Sequence, residues 1–388
     1  VWIKRVSLSN FRNFSHFSAD LSSEVTLIYG ENGSGKTSIL EAMALFGLGR
    51  SFRGTKIKGL TKIGEKQHFQ VALTLNEGHF QHRNDLNGSN FDTENQCLWV
   101  EDEGYPHRLC FRVDDGAAST GEVVSKVPLQ LLYANSFQIL EAGAMYRRQL
   151  LDWGCFFLNP VFAKAWRRYA SILKQRNALL RAHLTASQHK GLWEAWDRAF
   201  LEAAEAVEAL RQAYWAVFEP MFMEVIPQFL PGLSWKLVYS PGCSLDAGLG
   251  SALQGRFGRD CALGYTSVGP HRADMEIFVG GVPAKQLLSR GQTKLLICAV
   301  LMTRARVLYQ KTGRACVLLV DDADAELDTG ALDRLFEGLQ GLKTQWVATS
   351  VRPDGPWANK RVDNRLFLPA QDAACKGVLN TLGGLFVV

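Results

Sequence analysis

Apolar and polar positions alternate from Val1 to Ser9, which predicts a β-strand, and the apolar run Glu24 to Tyr29 predicts a second that stops at Gly30. Alternation returns at Gln70 to Leu75, and Leu98 to Val113 holds further β-rich runs broken by Gly104 and Pro106. After Pro160 the period changes. Phe162, Trp166, Tyr169, Leu173, Leu180 and Leu184 recur at helical spacing, and after a gap at 185–191 Trp193, Trp196, Phe200, Val207, Leu210 and Tyr214 mark a helix from Leu192 to about Phe218. Pro220, Pro227 and Pro231 are expected to close this helix, giving an antiparallel helical hairpin. Strand patterns resume at Cys261–Val268 and Met275–Val279, with Gly280-Gly281 as a turn. A helix over Thr293–Tyr309 and strands at Ala315–Val320 and Thr344–Ser350 follow. The pattern is that of an α/β domain interrupted by a helical arm, with expected parts 1–135, 136–260 and 261–388.

The chain has 388 residues, more than one ordinary core accommodates, in keeping with that division. Hydrophobic residues make up 47% and charged residues 21%, the balance of a water-soluble globular chain. The eight cysteines form no C-x-x-C pair and read as reduced, packed thiols of a cytoplasmic protein. No apolar run reaches the length of a membrane span and no secretory signal pattern opens the chain, so a membrane partner is not expected. The net charge of +5 permits a basic surface without locating one.

Gly30-Glu31-Asn32-Gly33-Ser34-Gly35-Lys36-Thr37, followed by Ser38, fits G-x-x-x-x-G-K-[ST], between an apolar strand and a helix carrying Ile39, Leu40, Met43 and Phe46. Glycines let the backbone wrap phosphates, and the helix N-terminus supplies amides and the positive end of a dipole. In this motif Lys36 reaches the β- and γ-phosphates of ATP and the Thr37 hydroxyl ligates Mg²⁺. The apolar run Val317–Val320 ends in Asp321 and Asp322; the first is expected to hold the metal and the second to orient or deprotonate the attacking water. Leu288-Ser289-Arg290-Gly291-Gln292 resembles the signature loop of ABC ATPases, with Arg290 in place of a glycine. The same residues also read as an S-x-x-Q capping box, and the two readings are compatible. Ala325-Glu326-Leu327-Asp328 stands where such ATPases carry the loop that crosses their dimer interface.

Further segments give the chain a family likeness. Leu8 to Phe14 (LSNFRNF) resembles the N-terminal strand signature of ATPases of the SMC and RecF type. Gly49-Arg50-Ser51-Phe52-Arg53, Tyr146-Arg147-Arg148 through Trp153, Lys174 to Asn177 and Gly269-Pro270-His271-Arg272-Ala273-Asp274 resemble the RecF family. The resemblance implies an ABC-ATPase head, a P-loop NTPase fold, with an inserted helical arm, forming an ATP-dependent homodimer head to tail around two ATP molecules. It also implies binding to DNA at gaps and duplex–single-strand junctions, cooperation with RecR and RecO in loading RecA, and weak ATP hydrolysis that resets the dimer. By the same resemblance Arg12 lies near the phosphates, and Ser289, with Gly291 and Gln292, meets the γ-phosphate held by the other subunit.

Departures from the ABC pattern point to slow turnover: Asn135 and Gln138 stand in the metal-contacting loop, Asp322 where transporters use Glu, and Thr349-Ser350 where they place a switch histidine. For DNA, Arg50, Arg53, Lys56 and Lys58 form one basic stretch, continued by Lys62 and Lys66. The first arm helix, with six basic and no acidic residues from Val161 to Leu184, is an alternative, unless it pairs with its acidic neighbour. The Gly-Pro-His-Arg segment fits either a polar turn or a structural interface. Other functions compatible with the motifs are the ATPase subunit of a transporter and a non-hydrolysing, ATP-dependent adaptor.

Overall fold

The computed structural model describes residues 1–54, 56–65, 68–76, 95–103, 107–141, 143–182, 189–243, 248–322, 328–340, 342–353 and 362–369. Two compact units emerge, one from Val1–Ala134 with the residues from Gly313 onward, the other from Asn135–Thr312.

The first unit opens with β1 (Trp2–Phe11), β2 (Phe14–Asp20), β3 (Val25–Tyr29) and α1 (Lys36–Leu48). It continues through β4 (Gln70–Asn76), β5 (Asn95–Asp102), β6 (Leu109–Val113), β7 (Gly116–Ala118), α2 (Thr120–Lys126) and β8 (Leu129–Leu132). The alternation seen at the start of the sequence is that of a strand whose buried face carries Val6 and Leu8 and, across a register shift between Ile3 and Arg5, Ile3, in the antiparallel sheet β2-β1-β4-β5-β6-β7.

The second unit holds α3 (Gln138–Glu141), α4 (Ala144–Leu158), α5 (Phe162–Arg181), α6 (Lys190–Phe229), β9 (Trp235–Ser240), α7 (Gly248–Leu263), β10 (Asp274–Val279), β11 (Val282–Pro283), α8 (Ala284–Leu287) and α9 (Arg290–Thr312). Its small antiparallel sheet runs β11-β10-β9, with Gly280-Gly281 turning β10 into β11. The chain then re-enters the first unit with β12 (Val317–Val320), α10 (Thr329–Gln340), β13 (Gln345–Ser350) and β14 (Asn364–Phe367).

These strands complete a parallel sheet ordered β14-β3-β13-β12-β8. β12 and β13 are buried at every position, which is why both read as continuous apolar runs with little alternation. Gln345 joins the two sheets of this unit: its Oε1 accepts from Ile3 N at 2.9 Å, and its Nε2 donates to the carbonyls of Ile3 and Ser22 at 2.8 Å each. A buried amide so fully used fixes the sheets' register beside a large apolar cluster.

Three expectations are corrected. The arm helix does not stop at Pro220; α6 runs on through Pro220 and Pro227 to Phe229. Phe218, Met221, Phe222, Val225, Ile226 and Phe229 continue its buried stripe, and their burial offsets the hydrogen bonds that the prolines remove. The segment expected as a strand from Cys261 finishes α7 instead, and a turn follows in which Thr266 N donates to Asn177 Oδ1 and Ser267 N to Asp260 Oδ1. Finally, the return to the first unit falls at Gly313 rather than at 261, because β10 pairs with β9 and α9 packs on α6.

Candidate nucleotide-binding site

β3 ends at Tyr29, between β14 and β13 in the parallel sheet, and residues 30–35 carry the chain from its C-terminal end into α1. Two glycines are dictated by space. A Cβ on Gly30 would lie 2.2 Å from the carbonyl oxygen of Leu368, and one on Gly35, at φ +105°, would meet Asn13 at 2.4 Å and Phe14 at 2.6 Å. α1 has no side-chain cap and no acidic residue in its first turn, so its N-terminal amides and dipole face the loop without a competing anion of their own.

Lys36 Nζ bends back to the carbonyls of Gly30 and Glu31 at 2.6 and 2.9 Å. Thr37 Oγ1 donates to Asp321 Oδ1 at 2.9 Å, and Thr349 Oγ1 donates to the same oxygen at 3.0 Å. Thr349 Oγ1 in turn accepts from Asp322 N at 2.7 Å, which leaves Asp322 in the left-handed region at φ 52°. Burial raises the Asp321 carboxyl above its ordinary range, against the lowering effect of the Thr37 and Thr349 hydroxyls. These hard oxygen donors, a hydroxyl and a carboxylate already 2.9 Å apart, suit a magnesium ion. Thr37 and Asp321 are the residues that would hold it.

A cleft of about 680 Å³ brings together Asn32, Gly33, Gly35, Lys36, Thr37, Ser38, Arg12, Asp321, Asp322 and Thr349. Gly30, Glu31 and Ser34 contribute the rest of the loop, and Ser34 Oγ is buried with no hydrogen-bond partner among the described residues. Arg12 reaches the cleft from a two-residue turn between β1 and β2, at φ 54°. Its guanidinium grips Glu41 of α1 through two bonds, Nε–Oε2 at 2.8 Å and Nη2–Oε1 at 2.6 Å, while Nη1 donates to the Gly59 carbonyl at 2.9 Å. Ser51 donates to the same wholly buried carboxylate.

Glu41 and the bridging role of Thr349 are the parts that motif reasoning missed. Glu41 left one trace, a single acid inside the apolar helical run Ile39–Leu48. The sequence marks Thr349 only by its place where transporters carry a switch histidine; its bridging leaves no local trace, since its partners lie more than twenty-five residues away.

Arg50, Lys56 and Lys58 are exposed as a nucleic-acid contact requires, but Arg53 lines the cleft and stands 3.9 Å from Glu41. Of the arm's basic residues, Arg176 is fully buried between Asp197 (2.9 Å) and Asp260 (3.5 Å), and Arg168 meets Glu202 at the surface (3.2 Å). Lys164, Arg167, Lys174 and Arg181 are exposed. Asn135 and Gln138 fall in the second unit.

The signature residues also belong to the second unit, at the first turn of α9. Ser289 Oγ accepts from Gln292 N at 3.3 Å and Gln292 Oε1 accepts from Ser289 N at 3.0 Å, a reciprocal capping box. Ser289, Arg290 and Gly291 are exposed, which leaves a capped, positively polarised helix end facing outward. Ala325, Glu326 and Leu327 lie outside the described residues, and Asp328 caps α10 through Ala331 N at 2.7 Å.

The Gly-Pro-His-Arg segment is a structural knot. His271 Nε2 donates to the Thr266 carbonyl at 2.8 Å, which makes Nδ1 the acceptor for the Tyr169 hydroxyl at 2.6 Å. Arg211, paired with Asp152, donates to the Pro270 carbonyl at 2.6 Å, and Arg147 pairs with Asp274.

This geometry, a phosphate loop facing a strand-end carboxylate, coincides with what comparison with known proteins finds. The family described as the RecF/RecN/SMC N terminal domain matches residues 2–359. A DNA replication and repair protein RecF from Sodalis glossinidius (strain morsitans) is 33% identical over 352 residues, covering 91% of this chain and 92% of the relative. The chain belongs to the RecF family. A RecF from Teredinibacter turnerae is 34% identical over 357 residues, covering 90% of this chain and 89% of its own. Among solved structures, the recombination mediator protein RecF with ATPrS, of the RecFOR pathway, superposes with a TM-score of 0.79 at 22% identity, over 95% of this chain and 96% of that one. An Smc head bound to the C-winged helix domain of ScpA follows at 0.53 and 16%, over 91% and 90%. At these identities the structures establish the fold, an ABC-type ATPase head as found in RecF and SMC proteins. Among the described residues no helix is long and apolar enough to cross a membrane.

Proposed function

We propose that this RecF-family chain is an ATP-dependent DNA clamp of DNA replication and recombinational repair. It binds gapped DNA or duplex–single-strand junctions and, with RecR and RecO, helps RecA to load. The observation that carries the ATPase part is the single cluster in which Thr37 and Thr349 both donate to Asp321 beside Lys36. In it Lys36 and the loop amides take the β- and γ-phosphates, and Thr37 and Asp321 would hold Mg²⁺, whose charge would steady the phosphate oxygens. Asp322 positions or deprotonates the attacking water. The exposed N-terminus of α9, with Ser289, Gly291 and Gln292, meets the γ-phosphate held by a second copy, so ATP closes a head-to-tail homodimer. Weak hydrolysis opens it. The relatives named for DNA replication and repair support the pathway.

Sedimentation of the full chain should give a monomer without nucleotide and a dimer with ATP and Mg²⁺. Binding to gapped DNA should weaken with a log–log salt slope of about −0.9 per phosphate neutralised. Lys56→Glu with Lys58→Glu should flatten that slope and leave ATP affinity intact. A chain that stays monomeric at micromolar concentration with ATP and gapped DNA would refute the clamp.

A further inference from the structure

Away from the nucleotide cleft, the six-stranded sheet gathers three polar ligands at one end. Asp102 closes β5, His68 stands two residues before β4, and His107 stands two residues before β6. Backbone bonds fix the convergence: Asp102 N donates to the Phe69 carbonyl at 3.4 Å and Glu103 N to the Arg108 carbonyl at 3.1 Å. The Asp102 side chain is wholly buried. Its Oδ2 faces His107 Nδ1 at 2.7 Å and His68 Nδ1 at 3.3 Å, and the two rings stand edge to face with centroids 6.0 Å apart. All three ligand atoms lie within 4.8 Å of one another, the one such group of His, Cys, Asp or Glu among the described residues.

A buried carboxylate needs a partner, but one imidazole is enough to supply it. Here two ring nitrogens converge on one carboxylate oxygen from separate chain segments. Ligand atoms at the ~2.0–2.1 Å zinc distance stand about 3.3 Å apart around a tetrahedral ion. The two observed nitrogen–oxygen separations, 2.7 and 3.3 Å, need little adjustment to meet that spacing. Two imidazoles and one carboxylate suit a borderline transition metal such as Zn²⁺, whereas Mg²⁺ takes oxygen ligands almost throughout.

We propose that His68, Asp102 and His107 hold one zinc-class divalent ion, with water as its fourth ligand on the side where His68 is open to solvent. The site ties three segments of the sheet together at a point where the chain has just left the cleft. Thr61, Lys62 and Ile63 line the cleft, and Phe69, next to His68, packs edge-on at 5.3 Å against Phe11, the neighbour of Arg12. The ion therefore acts as a staple on the sheet whose β1–β2 turn carries Arg12, connected to the cleft through the Phe69–Phe11 contact, and has no part in the chemistry at Asp322.

The test uses the untagged full chain, stripped with a chelator and titrated with Zn²⁺, and separately with Co²⁺ read by visible absorption. The wild type should take up one ion more than His68→Gln or His107→Gln, and either change should weaken that ion's binding by about 100-fold or more. His16→Gln, at an exposed histidine on β2, should match the wild type. Zn²⁺ should raise the melting temperature of the wild type and leave that of His68→Gln unmoved, a comparison that stands even if His107→Gln folds poorly. Equal stoichiometry and affinity in the wild type and His68→Gln would overturn the proposal. So would Co²⁺ absorption of thiolate type alone, which would place the ion on cysteines.

Discussion

Glu41→Gln isolates the interaction that holds Arg12 in the cleft. The substitution keeps the volume, removes the charge and turns an amide NH₂ toward a guanidinium that has only donors to offer. It breaks one of two bonds of 2.6 and 2.8 Å and leaves the Ser51 hydroxyl competing for the remaining oxygen. Breaking a buried ion pair from one side costs about 3–5 kcal/mol. The Glu41 side chain is fully buried but that of Arg12 is 17% exposed, so the freed guanidinium recovers part of its hydration and the expected loss is about 3 kcal/mol. For a unit of this size that corresponds to a melting point lowered by about 6–12 °C. Urea unfolding of the wild type, Glu41→Gln, Arg12→Met and the double variant gives the coupling directly, and it should be at least ~1.5 kcal/mol. ATP affinity should fall in both single variants, because Arg12 lines the cleft in the orientation Glu41 sets. Glu41→Gln within ~0.5 kcal/mol of wild type, or a coupling near zero, would show that the Gly59 carbonyl and the turn alone fix Arg12.

Asp322→Asn should keep ATP binding and dimer formation while turnover falls by ~10²- to 10⁴-fold, and Asp321→Asn should instead weaken the Mg²⁺-dependent part of ATP binding. Wild-type turnover in Asp322→Asn, read by phosphate release, would mean the two carboxylates are assigned the wrong way round. Burial pushes His271 down to about 4, so the folded state resists a proton that the unfolded chain takes up near 6.5. Its contribution is intact above 6.5 and is lost as pH falls toward 4, by roughly 3 kcal/mol in all. Urea unfolding of His271→Gln should lack this part of the acid dependence; identical pH slopes in the two proteins between 4 and 6.5 would contradict it.

The cleft was legible in the sequence wherever its signal is local. A strand, six loop residues and a helix start are contiguous, and Asp321 follows an apolar run that only a central parallel strand explains. Glu41 was less visible, because a helix reads as apolar whether or not one acid inside it has a cation to meet. Thr349 was invisible as a bridge, since hydrogen bonding between neighbouring parallel strands leaves no period along the chain. In the arm, local rules misled. Proline is a sound stop signal until tertiary burial outweighs it, as at Pro220 and Pro227, and Cys261–Leu263 are helical because α7 brings Asp260 to Arg176. The capping box at Ser289 was readable in full, because both of its bonds span only three residues.

The order of the parallel sheet also sets a timetable for synthesis. β3, which delivers the phosphate loop, is hydrogen-bonded on one edge to β13 and on the other to β14, so both of its partners are encoded beyond residue 344. At about 5–20 residues per second, roughly 15–60 s separate the appearance of Tyr29 from that of Gln345 on a ribosome. Throughout that interval the growing chain carries Gly30 to Thr37 in full but no ladder to hold them, and the apolar edge of β3 stays open to wrong partners. A product cut short before Asn364 would still read as a perfect nucleotide-binding motif, yet it would lack the strand that lies along β3 and the Leu368 carbonyl that closes on Gly30. The segment made among the first is thus among the last to become a binding site.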